Sequence, residues 1–281
     1  RHIAALEKLG YKAKFDGSNY HLKADKLSSS EIIFEKSTHM GTDNILLASC
    51  LIPGTTVINN AAEEPEVDDM ISYLNSMGAN IKRTKPRRIT IKGVERLHGT
   101  EYTAMSDRNE AITYGVAALI TKGSVFLEGI KANQIMSFLK KIKQMGANYK
   151  IDANGIFMGF NRELESVNIT TGAHPAFMTD WQPQFTALLT QATGTSVVIE
   201  KVHSNRFGYT SDLIKMGAKI NLFNPQVNNP NIYYDFDPIE GSKTYHACRV
   251  IGPTKLRGIN ATVLDIRAGA VLVIAGLMAE G

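Results

Sequence analysis

A glycine recurs along this chain at an almost fixed interval: Gly10, Gly78, Gly146 and Gly217 stand 68, 68 and 71 residues apart. Each lies in a segment of one type, EKLGYKAKF, NSMGANIKR, KQMGANYKI or IKMGAKINL, where an amphipathic helical pattern stops and a short alternating strand begins. Met70, Leu74 and Met77 carry the helical spacing in one copy, and Ile135, Phe138, Leu139 and Ile142 in another. Glycine is the residue that most readily accepts the left-handed backbone ending such a helix. Self-similarity of this kind constrains the fold before any single residue is weighed, because the same supersecondary unit must be built each time.

The similarity continues past the junction. A Leu-centred lead-in recurs as DKLSSSEI, ERLHGTEY, RELESVNI and TKLRGINA, followed by a loop and a second, strongly apolar helix. Those loops and helix starts read HMGTDNILLASC, MSDRNEAITYGVAAL, MTDWQPQFTALL and LDIRAGAVLVIAGL. Three of the second helices run into a Gly and a β-branched strand, PGTTVI, KGSVFL and TGTSVVI, and the fourth stops at Gly281. The unit is therefore strand, helix, Gly, strand, strand, loop, helix, about 70 residues long. It is too large for the common helical solenoids and predicts a compact α/β repeat, its helices inside and sheets outside or its units stacked in line. The last copy carries an extra stretch, Asn224 to Tyr245, whose polarity reads as a surface insertion and a poor core element.

Composition narrows the class further. With 281 residues, 43% hydrophobic and 21% charged, the chain suits one large or two ordinary domains and falls outside the disordered, collagen-like and coiled-coil classes. No apolar run approaches the roughly 18 residues of a membrane span. The opening RHIAALEKLG has no apolar signal core, and it starts without Met inside a helical pattern, which reads as a fragment or processed product. Cys50 and Cys248 have neither disulfide-framework nor metal-ligand spacing, so a reducing, cytoplasmic setting is expected. The net charge of +4 is dispersed, and its densest cluster, KRTKPRR at 82–88, lacks interleaved aromatics. A solvated turn between two strands explains that run better than a nucleic-acid patch. No nucleic-acid partner and no membrane partner are expected.

Charged groups sit where the apolar second helices begin: Asp107 with Arg108, Asp180, and Asp265 with Arg267. An Asp there caps orphan N–H groups for about 1 kcal/mol, which accounts for each one alone. Arg108 and Arg267 fit that account poorly, because a cation opposes the dipole at a helix N-terminus. They suggest either an Asp–Arg pair or an anion gathered by Arg and backbone N–H groups. Arg206, in VHSNRFGYT, is either a surface residue or another cleft cation. His174 and Trp181 lie in the long loop TTGAHPAFMTDWQPQF and read first as packing residues, in a loop rich enough in special residues to carry binding groups.

The run THMGTDNILLASCLIPGTTVINNAAEEPEVDDMISYLNSMGA resembles a segment in which an S-V-G-A-T-E-N loop opens a helix and N-A-A-x-E-P-E-[IV]-x-D follows. VERLHGTEYTAMSDRNEAITYGVAA, TTGAHPAFMTDWQPQF, HSNRF and LDIRAGAVLVIAGLMAEG are similar, in the same order, to the later motifs of that family. The family is UDP-N-acetylglucosamine 1-carboxyvinyltransferase, an enolpyruvyl transferase, and the resemblance covers essentially the whole chain. A shikimate-pathway relative shares the fold and chemistry, but the H-P-x-F-x-T-D and N-A-A-x-E-P-E strings point to the nucleotide-sugar branch.

The resemblance implies a two-domain inside-out α/β barrel, with residues 1–106 the later part of one domain and 107–281 most of the other. It implies transfer of the enolpyruvyl group of phosphoenolpyruvate to the sugar 3-hydroxyl, the first committed step of peptidoglycan precursor synthesis, with no metal and no cofactor. Asp180 matches the carboxylate that binds the 3-hydroxyl and serves as base, and Asp265 a second carboxylate for proton relay. Arg206 and Arg267 match basic residues of the cleft, Arg108 the arginine of the interdomain D-R motif, and Val202 a backbone contact to the nucleotide sugar. Ser37, Thr38, His39, Met40 and Gly41 match the loop that grips the uracil. This chain departs from the pattern at His39, Met40, Met178, Trp181 and Ser204. Because the family's loop nucleophile precedes the equivalent of Arg1, the chain on its own is expected to lack turnover; a nucleotide-sugar-binding protein without turnover is the alternative reading.

Overall fold

The computed structural model describes residues 1–237, 243–263 and 266–281, with the side chains of 266–268 excepted. The described residues form two compact units, Arg1–Met105 and Ser106–Gly281.

In the first unit, α1 (His2–Lys8) leads into the hairpin of β1 (Lys12–Phe15) and β2 (Tyr20–Lys23). Then follow β3 (Glu31–Ile33), α2 (His39–Ser49), β4 (Thr55–Asn59), α3 (Pro65–Ser76), β5 (Asn80–Lys85) and β6 (Arg88–Lys92). The sheet order is β3-β4-β6-β5, with β3 and β4 parallel and joined through α2 and the other pairs antiparallel. Val67, Ile71 and Leu74, spaced four and three apart, form the buried stripe of α3, and Pro65 opens that helix where no N–H is needed. Inward-facing Ile58, Ile89 and Ile91 alternate with outward residues on β4 and β6. Each such side chain contributes about 1.5–3 kcal/mol by leaving water. The basic run at 82–88 forms the β5–β6 hairpin, where Arg83 Nε meets Asp68 Oδ1 at 2.7 Å and Arg87 Nε meets Glu63 Oε2 at 3.0 Å.

The second unit opens with α4 (Arg108–Ile120), β7 (Ser124–Glu128), α5 (Met136–Met145), β8 (Asn148–Ile151) and β9 (Gly155–Gly159), whose antiparallel sheet has the order β7-β9-β8. Next come β10 (Ile169–Thr170), α6 (Gln182–Leu189), β11 (Gly194–Ile199), α7 (Thr210–Lys215), β12 (Lys219–Phe223), α8 (Pro230–Tyr233) and β13 (Ala247–Gly252). Their sheet, β10-β11-β13-β12, repeats the order and the parallel-then-antiparallel sense of the first unit's four-stranded sheet. The last helix is α9 (Ile266–Gly276). Every residue of α6 is buried, and α6 packs against both α4 and α9 while α4 also packs on α9. These are the strongly apolar second helices of the repeat, and among the described residues the sheets are mixed or antiparallel and open.

The four periodic glycines all take the left-handed backbone, at φ +103, +97, +97 and +106° for Gly10, Gly78, Gly146 and Gly217. A second pair of glycines is fixed by space instead. Gly93, after β6, would place a Cβ 1.8 Å from the Ile52 carbonyl oxygen, and Gly252, ending β13, would place one 2.4 Å from that of Ala192. Just beyond them, Val94 N–H donates to Cys50 O and Thr254 N–H to Thr190 O, each at 2.9 Å, closing carbonyls at the ends of α2 and α6. Gly93→Ala is therefore expected to lower stability by about 1–3 kcal/mol through overpacking against backbone. The check is a urea midpoint that falls with unchanged slope. Gly99→Ala, whose Cβ would have nothing within 4 Å, serves as control, and equal midpoints for the two variants would refute the packing argument.

The stretch after β12 departs from the sequence reading. Polar in composition, it nevertheless buries Tyr234, at 3% exposure, in an aromatic cluster with Phe236 at 4.8 Å and His246 at 5.1 Å between ring centroids. Its base is clamped by Asn224, which accepts from His246 N–H at 2.8 Å and donates to Thr244 O at 3.2 Å. Residues 238–242 of this stretch lie outside the described residues.

Candidate active site

Asp107 and Asp180 occupy equivalent helix starts and do different things. Asp107 is the N-cap of α4: its Oδ1 accepts from Asn109 N–H at 2.7 Å and Glu110 N–H at 3.3 Å. Asp180 lies in the 3-10 turn Thr179–Trp181 that precedes α6. Its Oδ1 accepts from Arg206 Nη2 at 2.9 Å, while Arg206 Nε donates to Thr179 Oγ1 at 3.1 Å. Arg206 is only 10% exposed at its side chain and Asp180 26%, so the pair is shielded on one side and open on the other. Arg206 is thus largely buried and held against Asp180 rather than extended into solvent.

Asp180 lines a cleft of about 450 Å³ with Asp107, Asn109, Glu110, Tyr114 and Gln184. Gln184 Oε1 is buried without a hydrogen-bond partner among the described residues. Arg108 is enclosed rather than open to this cleft. Its Nη1 reaches the Gln134 carbonyl at 3.3 Å and His174 Nδ1 at 3.1 Å, and its guanidinium lies 5.5 Å from the Trp181 ring centroid. Because a guanidinium only donates, His174 Nδ1 accepts here and the ring proton sits on Nε2. Burial of the long side chain thus removes the conflict of a cation at a helix start: Arg108 turns inward, onto Gln134, His174 and Trp181. Trp181, 1% exposed, packs edge-on to Phe138 and Phe177 at 6.4 and 5.7 Å and donates its Nε1–H to Asn109 Oδ1 at 2.9 Å.

The loop after β11 is organised by a residue that sequence reasoning missed. Glu200, fully buried, accepts from Val202 N–H at 2.8 Å, His203 N–H at 3.0 Å, Thr171 Oγ1 at 2.9 Å and Thr179 Oγ1 at 2.9 Å. Burial pushes its pKa up, and those four bonds pull the other way. A signal did exist: Ser196, Val198 and Glu200 continue one inward-facing alternation along β11, which sets a carboxylate where an apolar residue is the rule. Val202 thus has its N–H engaged internally. Asp265 lies outside the described residues, and Arg267 falls in the first turn of α9.

In the first unit, Thr38 caps α2, accepting from Gly41 N–H at 3.2 Å, so His39, Met40 and Gly41 form the first helical turn. His39 Nε2 lies 3.4 Å from Asp43 Oδ2, and Met40 is 59% exposed. Ser37 Oγ is buried without a partner among the described residues. Burial raises the pKa of Asp43, with His39 lowering it and Glu64 and Glu66 adding to the rise. The two cysteines are buried packing residues: burial pushes the Cys50 thiol up, and that of Cys248 up to about 12.

The fold and site define a mixed-sheet α/β repeat protein with a carboxylate–arginine pair at the mouth of a cleft. The profile of the EPSP synthase (3-phosphoshikimate 1-carboxyvinyltransferase) family matches residues 1–281, and the chain belongs to that family. A UDP-N-acetylglucosamine 1-carboxyvinyltransferase of Halothermothrix orenii is 39% identical over 280 residues, covering 100% of this chain and 62% of the relative. Its namesake from Methylacidiphilum infernorum is 38% identical over 282 residues, covering 99% and 62%. The chain thus spans about three fifths of the length of these curated relatives. Among solved structures, the enolpyruvyl transferase NikO from Streptomyces tendae superposes with a TM-score of 0.82 at 21% identity, covering 99% of this chain and 64% of that one. EPSP synthase from Acinetobacter baumannii gives 0.64 at 21%, covering 100% and 64%. At these identities the two structures speak for the fold alone.

Proposed function

We propose that this chain carries the acceptor side of an enolpyruvyl transferase that joins phosphoenolpyruvate to the 3-hydroxyl of UDP-N-acetylglucosamine, the first step of peptidoglycan precursor synthesis in the cytoplasm. The observation that carries it is the Asp180–Arg206 pair at 2.9 Å on the rim of the cleft. In this reading Asp180 takes the proton of the 3-hydroxyl, and the sugar oxygen bonds to C2 of phosphoenolpyruvate while the C2=C3 double bond opens and C3 takes up a proton. Elimination then removes a proton from C3, re-forms the double bond and breaks the C2–O bond to phosphate, which leaves as inorganic phosphate. Arg206 holds Asp180 in place and aimed, and a general base must stand within hydrogen-bond reach of the proton it takes. Asp265 serves as second carboxylate and proton relay, Arg267 as a cleft cation, Val202 as a backbone contact, and Arg108 as the support of His174 and Trp181. The first turn of α2 with Ser37 and Thr38 receives the uracil. Residues 1–106 and 107–281 belong to two domains of an inside-out α/β barrel, a reading supported by the wholly buried α6 among α4 and α9. No metal or cofactor enters this chemistry.

The test is phosphate release by the product of the whole natural reading frame. Release is expected to need both substrates and to fall by about 10²–10⁴-fold in Asp180→Ala, the usual worth of a general base. Binding of the nucleotide sugar without release would favour a binding protein; no binding would mean that His39 and Met40 have changed the acceptor.

A further inference from the structure

We propose that Glu200 is a positioning residue of the transfer site, a single carboxylate that sets the aim of the Arg206–Asp180 pair and the shape of the loop that meets the acceptor. The inference rests on the enolpyruvyl-transfer reading of that site. Its basis is the direction of every hydrogen bond around the carboxylate. Val202 N–H and His203 N–H are donors by nature, and both reach Oε1. The Thr171 hydroxyl accepts from Lys201 N–H at 2.9 Å and gives its own proton to Oε1. The Thr179 hydroxyl accepts from Arg206 Nε at 3.1 Å and gives its own proton to Oε2. Four points of the segment 201–206 are therefore tied to one side chain, two directly and two through a threonine.

Only a group that accepts at both oxygens fits this arrangement. Each threonine hydroxyl has one proton and already accepts from an N–H, so each needs an acceptor on its other side. A buried carboxylate without donors is strongly destabilising, and four donors offset that cost. Gln has nearly the same shape and the opposite polarity at one terminus. If its oxygen stays with the Val202 and His203 N–H groups, its NH₂ faces a Thr179 hydroxyl that already accepts from Arg206. That hydroxyl has a second lone pair for the amide, but its own proton then loses its acceptor at residue 200 and has to swing elsewhere, which re-angles the contact that aims the other arm of the Arg206 guanidinium at Asp180, 2.9 Å away. A shift on the scale of 1 Å at a reacting pair can cost about 10²-fold in rate.

The experiment is a double-substitution cycle in the product of the whole natural reading frame: Glu200→Gln, Thr179→Val, both together, and Thr179→Ser. Turnover by phosphate release, affinity for UDP-N-acetylglucosamine by calorimetry, and melting temperature are read for each. Glu200→Gln and Thr179→Val are each expected to lower kcat by about tenfold or more, and the double variant to be no worse than the weaker single, because both cut one chain of contacts. Thr179→Ser keeps the hydroxyl and is expected within about twofold of the parent, since its relay geometry is intact. Losses that multiply, an unaffected Thr179→Val, or a Thr179→Ser as poor as the Val variant would overturn the proposal. Should Glu200→Gln not fold, the Thr179 pair decides alone. A parent protein without turnover would sink the transferase reading instead. In that case amide exchange at Val202 and His203 decides on Glu200: a neutral acceptor holds them less firmly, so exchange is expected to rise at least about threefold in Glu200→Gln. Unchanged protection there overturns it.

Discussion

Trp181→Ala is expected to destabilise the protein by about 3–5 kcal/mol, the range for removing a large buried aromatic. The ring is 1% exposed and sits against Phe138 and Phe177, which in turn meet Phe185 edge-on at 5.8 and 5.1 Å. Its loss opens a cavity among three rings that belong to separate elements, so none can follow to fill it. It also strips the guanidinium of Arg108 of the ring beside it and leaves Asn109 Oδ1 without its indole donor. In a thermal melt of the whole natural protein this corresponds to a fall of about 6–20 °C for a unit of this size. Trp181→Phe, which keeps the packing and gives up the indole donor, is expected to cost about 1 kcal/mol. A Trp181→Ala protein melting within 2 °C of the parent would mean that the aromatic group is not the core of this unit.

Arg206→Lys is expected to lose about 10²-fold in kcat/KM, equivalent to about 2.7 kcal/mol of transition-state stabilisation. The positive charge survives that change. What goes is the fork: Nε donates to Thr179 at 3.1 Å and Nη2 to Asp180 at 2.9 Å at the same time, and one ammonium cannot span both. Steady-state kinetics on the whole protein, with the melting temperature as control for folding, separates charge from aim. If the Lys variant retains a third or more of the parent's kcat/KM, a nearby cation suffices and the geometry of the fork is irrelevant.

Much of the fold could be read from periodicity, since the helix-ending glycines and the alternating strands after them report backbone conformation directly. Gly10, Gly78, Gly146 and Gly217 have no alternative residue at φ near +100°, so their spacing carried the repeat into view. The aromatic cluster around Tyr234 was hidden for the opposite reason: three scattered rings in a polar stretch have no period, and only the return of the chain to His246 brings them together. For the site, capping explained Asp107 correctly, yet nothing in spacing distinguished it from Asp180; the partner that does, Arg206, is 26 residues away in sequence. The resemblance assigned both residues to one cleft without pairing them. Glu200 escaped because a charged residue at a strand end reads as solvated, and its burial depends on Thr171 and Thr179 arriving from other segments.

The continuation of β11 into Glu200 has a consequence for which insertions and deletions the chain tolerates. Strand β11 is locked to β13 from Gly194↔Gly252 to Ile199↔Ala247, and Glu200 N–H makes one further bond to His246 O at 2.8 Å. Removing one residue from β11 would slide the carboxylate to the outer face of the sheet, since neighbouring positions point opposite ways. Such a protein keeps its ladder and its core size but has an empty place under Thr179. By contrast, the stretch that leaves at Phe223 and returns at His246 is pinched shut at Asn224, so chain added or lost beyond that clamp leaves the sheet's pairing alone. Natural length variation among proteins of this kind is therefore expected to gather in the 224–245 stretch and to spare the six residues of β11.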